Sequence, residues 1–170
     1  MRLIICTTPA DRNRIDEAIA GAKEMKVDAL IFLPYEENNL NTNILAQDLN
    51  KHIGPDTDII FTHNQHQTHQ DHRAVSSAAL TLARKVPNFL MWETVAPSEI
   101  ALTTFNPQFF IFGDIDTKIK ALKKHKSQVK KYSSAWVDAV KGLAKLRSVQ
   151  FDMYNSNRYA EAFEVVKLRG

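Results

Sequence analysis

Apolar and polar positions follow two different periods in the first half of the chain. Short apolar runs rich in β-branched residues predict four strands, at residues 2–6, 28–34, 58–62 and 88–92. Between them, apolar residues recur at helical spacing and predict helices at 14–25, 41–53 and 71–85. Strands that alternate with helices predict an α/β fold, Rossmann-like, with a mostly parallel sheet and helices on both faces.

The second half is less regular. Residues 107–112, PQFFIF, predict a further strand, and residues 116–132 predict a helix with a basic face. The stretch 159–168, YAEAFEVVKL, is compatible with either a strand or a helix. Because no repeat, low-complexity tract or Pro/Gly-rich linker divides the sequence, we expect a single domain over residues 1–170.

Composition narrows the class of protein. Hydrophobic residues make up 44% and charged residues 24%, as in ordinary globular domains, and the formal charge of +3 is too small to indicate a nucleic-acid partner. The lysines of 118–131 fit a solvated helix face better than a nucleic-acid surface. No apolar run approaches the ~20 residues of a transmembrane helix. The lone Cys6 indicates a reducing compartment, and we expect the cytoplasm.

Histidines crowd the segment that follows the third predicted strand. Four of the six lie there at three-residue spacing, namely His63, His66, His69 and His72. Ligands of such folds gather at this end of the strands, and imidazole is a common metal ligand. His69 and His72 flank Asp71, which the dipole of the following helix favours. The alternative is a polar loop whose histidines face water.

Several segments together resemble one known family. THQDHRAV resembles the second signature of the PIG-L/LmbE-like de-N-acetylases, His-x-Asp-His-Arg, which follows a strand and opens a helix. Three further pieces resemble the same family in the same order: RIDEAIAGAKEMKVDALIFLPYEENNL, FNPQFFIFGDIDTKIKALKKHKSQ and RYAEAFEVVK. The resemblance runs through nearly the whole chain.

The resemblance implies a zinc-dependent hydrolase. Its substrate would be an N-acetylglucosamine-type amino sugar in a glycolipid, glycan precursor or small glycoside, from which it would remove the acetyl group. By resemblance, His72 would bind Zn2+, His69 would stabilise the oxyanion or donate a proton, and Asp71 would hold His69 in register. Arg14 would contact the substrate. Glu93, after the fourth strand, and Glu161 are further substrate-binding candidates, although either could be a plain surface carboxylate.

One departure from the family concerns the zinc ligands. The family opens with a strand that ends in His-Pro-Asp-Asp-Glu, which supplies two ligands and the general base, and this sequence contains no such motif. We therefore expect the family's first strand and helix to be missing. Asp11 is a candidate replacement ligand, as are His63 and His66. A smaller departure is Gln67, where the family often has Asp.

Two alternatives to a complete enzyme follow from this departure. The chain is either an N-terminally shortened member of the family or a divergent relative that binds a carbohydrate without cleaving it. A homo-oligomer is a further expectation.

Overall fold

A computed structural model describes residues 1–95, 105–154 and 157–169. Its strands are β1 (Arg2–Ile5), β2 (Ala29–Phe32), β3 (Ile59–His63), β4 (Asn88–Trp92), β5 (Phe109–Phe112) and β6 (Ala160–Lys167). Its α-helices are α1 (Arg12–Glu24), α2 (Thr42–Asn50), α3 (Gln70–Leu80), α4 (Ile115–Lys124) and α5 (Lys126–Phe151). No helix among the described residues is long and apolar enough to cross a membrane.

The chain forms two compact units. The first comprises Met1–Glu37 and Phe112–Glu161, and the second comprises Asn38–Ile111 and Ala162–Gly170. In the first, β1 and β2 pair in parallel, with Arg2 opposite Ala29. The predicted single domain remains a prediction, and the units are described separately.

The second unit contains most of a four-stranded sheet of order β3-β4-β6-β5. β3 and β4 pair in parallel, so that His63 lies opposite Trp92, whereas β4 and β6 pair antiparallel. Fully buried Leu45, Ala78, Phe89 and Leu90 form the core of this unit. The α/β class is confirmed, and the four-stranded sheet is mixed because β6, ambiguous in sequence, runs antiparallel to β4.

Two predicted helices differ in the structure: one is shorter than expected, and the other is divided in two. α3 ends at Leu80, and its C-cap Thr81 donates a hydroxyl hydrogen bond to the carbonyl of Ala78 before a short 3-10 turn at Ala83–Lys85. Threonine hydroxyls compete with helical hydrogen bonds in this way. The single helix predicted over residues 116–132 is divided between α4 and α5, because His125 has non-helical torsions (φ −77°, ψ 62°).

Candidate functional site: a histidine cluster at the start of α3

Helix α3 begins directly after the histidine-rich loop. His69 is its N-cap, and the ring nitrogen Nδ1 of His69 accepts a hydrogen bond of 3.2 Å from the backbone N–H of Asp71. This bond satisfies one of the N–H groups that an α-helix leaves unpaired at its start. His69 itself is exposed, so its other ring nitrogen lies at the positive end of the helix dipole and near solvent.

Three imidazoles pack against one another, and we call His63, His69 and His72 the histidine cluster. The rings of His63 and His72 are stacked with centroids 4.2 Å apart, and those of His69 and His72 with centroids 4.8 Å apart. Trp92 closes one side, with its ring edge-on to His63 at 4.8 Å. The parallel pairing of β3 with β4 therefore brings a strand end, a neighbouring strand end and a helix start together.

Electrostatics keep two members of this cluster neutral. Burial, together with charge on His72 and His69, lowers the pKa of His63 to about 3. Burial also lowers the pKa of His72, charge on His69 adds to this effect, and the carboxylate of Asp71 opposes it. Neutral imidazoles carry a lone pair on one ring nitrogen and a proton on the other, so each can act as a ligand or as a donor.

Two buried amides, which we call the amide pair, lie beneath the cluster. Asn64 is 1% exposed and Gln67 is 3% exposed. The Nε2 of Gln67 donates to the Oδ1 of Asn64 at 3.0 Å, and the Oε1 of Gln67 lies 3.3 Å from the Nδ1 of His72. The hydroxyl of Thr94 donates to the same Oε1 at 3.0 Å. A neutral amide group thus holds the Nδ1 side of the His72 ring.

The described hydrogen bond of the Asp71 carboxylate goes to the backbone rather than to a histidine ring. Its buried carboxylate accepts a 2.9 Å hydrogen bond from the backbone N–H of Asn38, a residue with φ of 65°. The side chain of Gln70 donates to the carbonyl of the same Asn38. The link between Asp71 and His69 runs through the backbone N–H, and the predicted role of the carboxylate in holding His69 stays a prediction.

The remaining predicted site residues are distributed over both units. In the first unit, Asp11 is the N-cap of α1 and accepts from the backbone N–H of Asn13 at 2.9 Å. Arg14 donates to Glu37 at 2.9 Å, and Glu161 accepts from Lys118. Glu93 is in the second unit, half-buried, directly after β4. Their substrate-binding or metal-binding roles stay predictions.

The donor set of the described residues falls short of what a catalytic zinc ion needs. Such a site takes three protein ligands in fixed geometry. Over residues 1–95, 105–154 and 157–169, no group of three or more His, Cys, Asp or Glu side chains is arranged to hold a metal ion. The described residues therefore do not fit a complete catalytic zinc site, and His72 supplies one candidate ligand rather than a set.

Sequence reasoning missed part of this arrangement. Asn64 and Thr94 were not identified, and Gln67 stood out only as a departure from the family. The presence of Asn64 and Gln67 among the histidines was the signal that could have indicated them, because amide side chains form hydrogen bonds when they are buried. Thr94 gave no such signal, because its contact depends on where β4 ends.

Comparisons with known proteins cover both sequence and structure. The sequence model of one family, described as "PIG-L: GlcNAc-PI de-N-acetylase", matches residues 7–83 of this chain. A comparison with curated proteins finds no match.

Several solved structures share the fold. A conserved protein from Thermus thermophilus has a TM-score of 0.73 at 19% identity, over 99% of this chain and 82% of its own. An N,N'-diacetylchitobiose deacetylase from Pyrococcus horikoshii has a TM-score of 0.72 at 16% identity, over 97% of this chain and 72% of its own. A deacetylase of teicoplanin biosynthesis has a TM-score of 0.65 at 18% identity, over 90% and 73%. These likenesses show the fold.

Proposed function

We propose that this chain hydrolyses the acetamide of an N-acetylglucosamine-type amino sugar, because the family model of the GlcNAc-PI de-N-acetylases matches its residues 7–83. Water would add to the amide carbonyl, the C–N bond would break, and acetate and a free amine would result. The sugar would be part of a glycolipid, a glycan precursor or a small glycoside. The family and two of the structural neighbours are named for deacetylation, which supports the reaction class.

The observation that carries this proposal is the histidine cluster at the start of α3. His69 uses Nδ1 as an acceptor, so in its neutral form Nε2 carries the proton and can donate to an oxyanion. The N-terminus of α3 adds partial positive charge at the same place. His69 and Asp71 are therefore the proposed catalytic pair, with Asp71 holding His69 in register.

Zn2+ is the proposed cofactor and His72 its proposed ligand, with Asp11 as a further candidate. Burial keeps His72 neutral, which is the form that binds metal. Since the described residues do not fit a full ligand set, no catalytic step is assigned to the ion here. Arg14, Glu93 and Glu161 are the proposed contacts to the sugar.

The proposal is tested by zinc stoichiometry and by amine release from N-acetylglucosamine glycosides. We expect about one zinc per wild-type chain, lost in His72→Ala and kept in the control His52→Ala. His69→Gln should keep the zinc and lower turnover by ~10²–10³, the usual loss of an oxyanion donor. Wild-type protein that contains no zinc and releases no amine would contradict the proposal.

A carbohydrate-binding protein without catalysis is the second candidate. The incomplete ligand set among the described residues favours it. It requires N-acetylglucosamine glycosides to bind equally well before and after treatment with a chelator, as measured by calorimetry. Loss of sugar binding on chelation would contradict this candidate and support the metal-dependent enzyme.

Other expectations concern the setting of the protein. We propose a cytoplasmic location, supported by the single buried thiol Cys6. The absence of a nucleic-acid partner and the formation of a homo-oligomer stay predictions.

A further inference from the structure

The hydrogen bonds around the amide pair determine which end of each amide faces which neighbour. The backbone N–H of His66 donates to the Oδ1 of Asn64 at 2.9 Å. A backbone N–H can only donate, so the atom that it meets must be the oxygen of Asn64. The orientation of the Asn64 amide is thereby fixed by the backbone of the loop.

The fixed Asn64 in turn orients Gln67. The Oδ1 of Asn64 accepts from the nearer end of the Gln67 amide at 3.0 Å, so that end must be the NH2 group. The oxygen of Gln67 then faces the ring of His72 and the hydroxyl of Thr94. The contact with Thr94 agrees with this orientation, because a hydroxyl can donate to the oxygen of Gln67.

The final link is the ring of His72. Its Nδ1 lies 3.3 Å from an amide oxygen that only accepts, so Nδ1 must carry the proton. We propose that Gln67 is a positioning residue that holds His72 as the neutral tautomer protonated on Nδ1, leaving the lone pair of Nε2 for a ligand of the site. Metal-binding histidines are oriented by their second nitrogen in this way, usually by a carboxylate or a carbonyl.

The neighbouring His69 provides an opposite case within the same cluster. Its Nδ1 accepts from a backbone N–H, which requires the proton on Nε2. Two stacked imidazoles, with centroids 4.8 Å apart, therefore carry opposite tautomers. His69 presents an N–H donor, and His72 presents a lone pair. The use of these two groups in hydrolysis rests on the proposed function.

The experiment is a long-range 1H–15N spectrum of the metal-free protein labelled on histidine nitrogen, near neutral pH. We expect a protonated Nδ1 for His72 and a protonated Nε2 for His69, with signals assigned by their loss in His72→Gln and His69→Gln. In Gln67→Leu the His72 nitrogens should lose this fixed pattern. Thr94→Val, which removes only the other donor to that oxygen, should retain it. If Gln67→Leu does not fold, the wild-type and Thr94→Val spectra decide.

The outcomes separate this inference from the proposed function. A wild-type His72 protonated on Nε2, or an unchanged pattern in Gln67→Leu, would overturn the inference even if zinc binds. A His72 protonated on Nδ1 that responds to Gln67→Leu supports the inference, and it does so even if the protein binds no zinc and releases no amine.

Discussion

His69 and His72 are three residues apart, yet they meet hydrogen-bond partners of opposite kind. A backbone N–H donates to His69, whereas an amide oxygen faces His72. The spacing of the histidines in sequence predicted that they would share a strand end and a helix start. It could not predict which nitrogen of the His72 ring bears a proton, because that depends on the rotamer of Gln67, which the backbone of His66 sets through Asn64.

Cys6 is a second residue whose chemistry depends on its environment. It is buried at the end of β1, and burial raises its pKa to about 12. Since only the thiolate reacts readily with alkylating agents, we expect native protein near pH 8 to react with iodoacetamide at least ~100-fold more slowly than protein in concentrated guanidinium chloride. Mass spectrometry over time measures both rates. Labelling of the native protein at the unfolded rate would contradict the assignment.

Among helices, α1 and α4 approach closely at a glycine. A Cβ atom added at Gly21 would lie 2.9 Å from the Nε2 of His125 and 3.4 Å from the carbonyl oxygen of Ala121. Sequence periodicity placed Gly21 on a helix but did not indicate this contact, because the end of α4 at His125 was hidden inside one continuous lysine-rich helical pattern. The break at His125 therefore coincides with the contact to Gly21 of α1.

This contact leads to a prediction with a control in the same unit. Gly21→Ala should give a free energy of unfolding about 1 kcal/mol lower than Gly142→Ala does, because the methyl group at position 21 must displace the ring of His125. Gly142→Ala, in α5 with no atom within 4 Å of the added Cβ, should raise it by up to about 1 kcal/mol through better helix propensity. Urea denaturation measures both. Equal effects of the two substitutions would show that Gly21 is not sterically constrained.

Helix ends also show what sequence can and cannot specify. The N-cap of α2 is local, because the side chain of Asn41 accepts from the backbone N–H groups of Asn43 and Ile44. The start of α5 is capped instead by Glu17 of α1, which accepts from the N–H and hydroxyl of Ser127. A cap 110 residues away leaves no local pattern, so only near caps can be predicted from sequence.

For the whole molecule, histidine burial ties stability to pH. Burial lowers the pKa of His125, an effect that Arg14 strengthens and Glu17 opposes, and it also lowers the pKa of His63 and His72. Above the ordinary value of 6.5 these groups are neutral in both states. Below it, the unfolded chain binds protons more readily than the folded chain, so the stability present above that pH is lost on acidification.

We therefore expect the Tm of metal-free protein to fall between about pH 7.5 and pH 5. In His125→Gln the fall should be smaller, because one group with a lowered pKa has been removed, while the other contributions remain. Differential scanning calorimetry at several pH values measures the slope. A variant whose Tm falls as steeply as that of the wild type would show that His125 makes no contribution.

At the same scale, the sequence predicted the α/β class, because alternating strands and helices leave few other topologies. It did not predict that the strands fall into two sheets, nor that β6 runs antiparallel to β4. Those features depend on contacts between residues far apart in the chain, such as Lys167 with the carbonyl of Val86.

The position of β3 at one end of its sheet has a consequence for handling the protein. Within that sheet β3 has β4 as its neighbour, and its Ile59 and Phe61 are 36% and 39% exposed. Apolar edge strands serve as templates for intermolecular pairing. We therefore expect concentrated or warmed samples to form β-rich aggregates through this edge. Because β3 ends in His63, such aggregation would remove solubility and the histidine cluster in a single event.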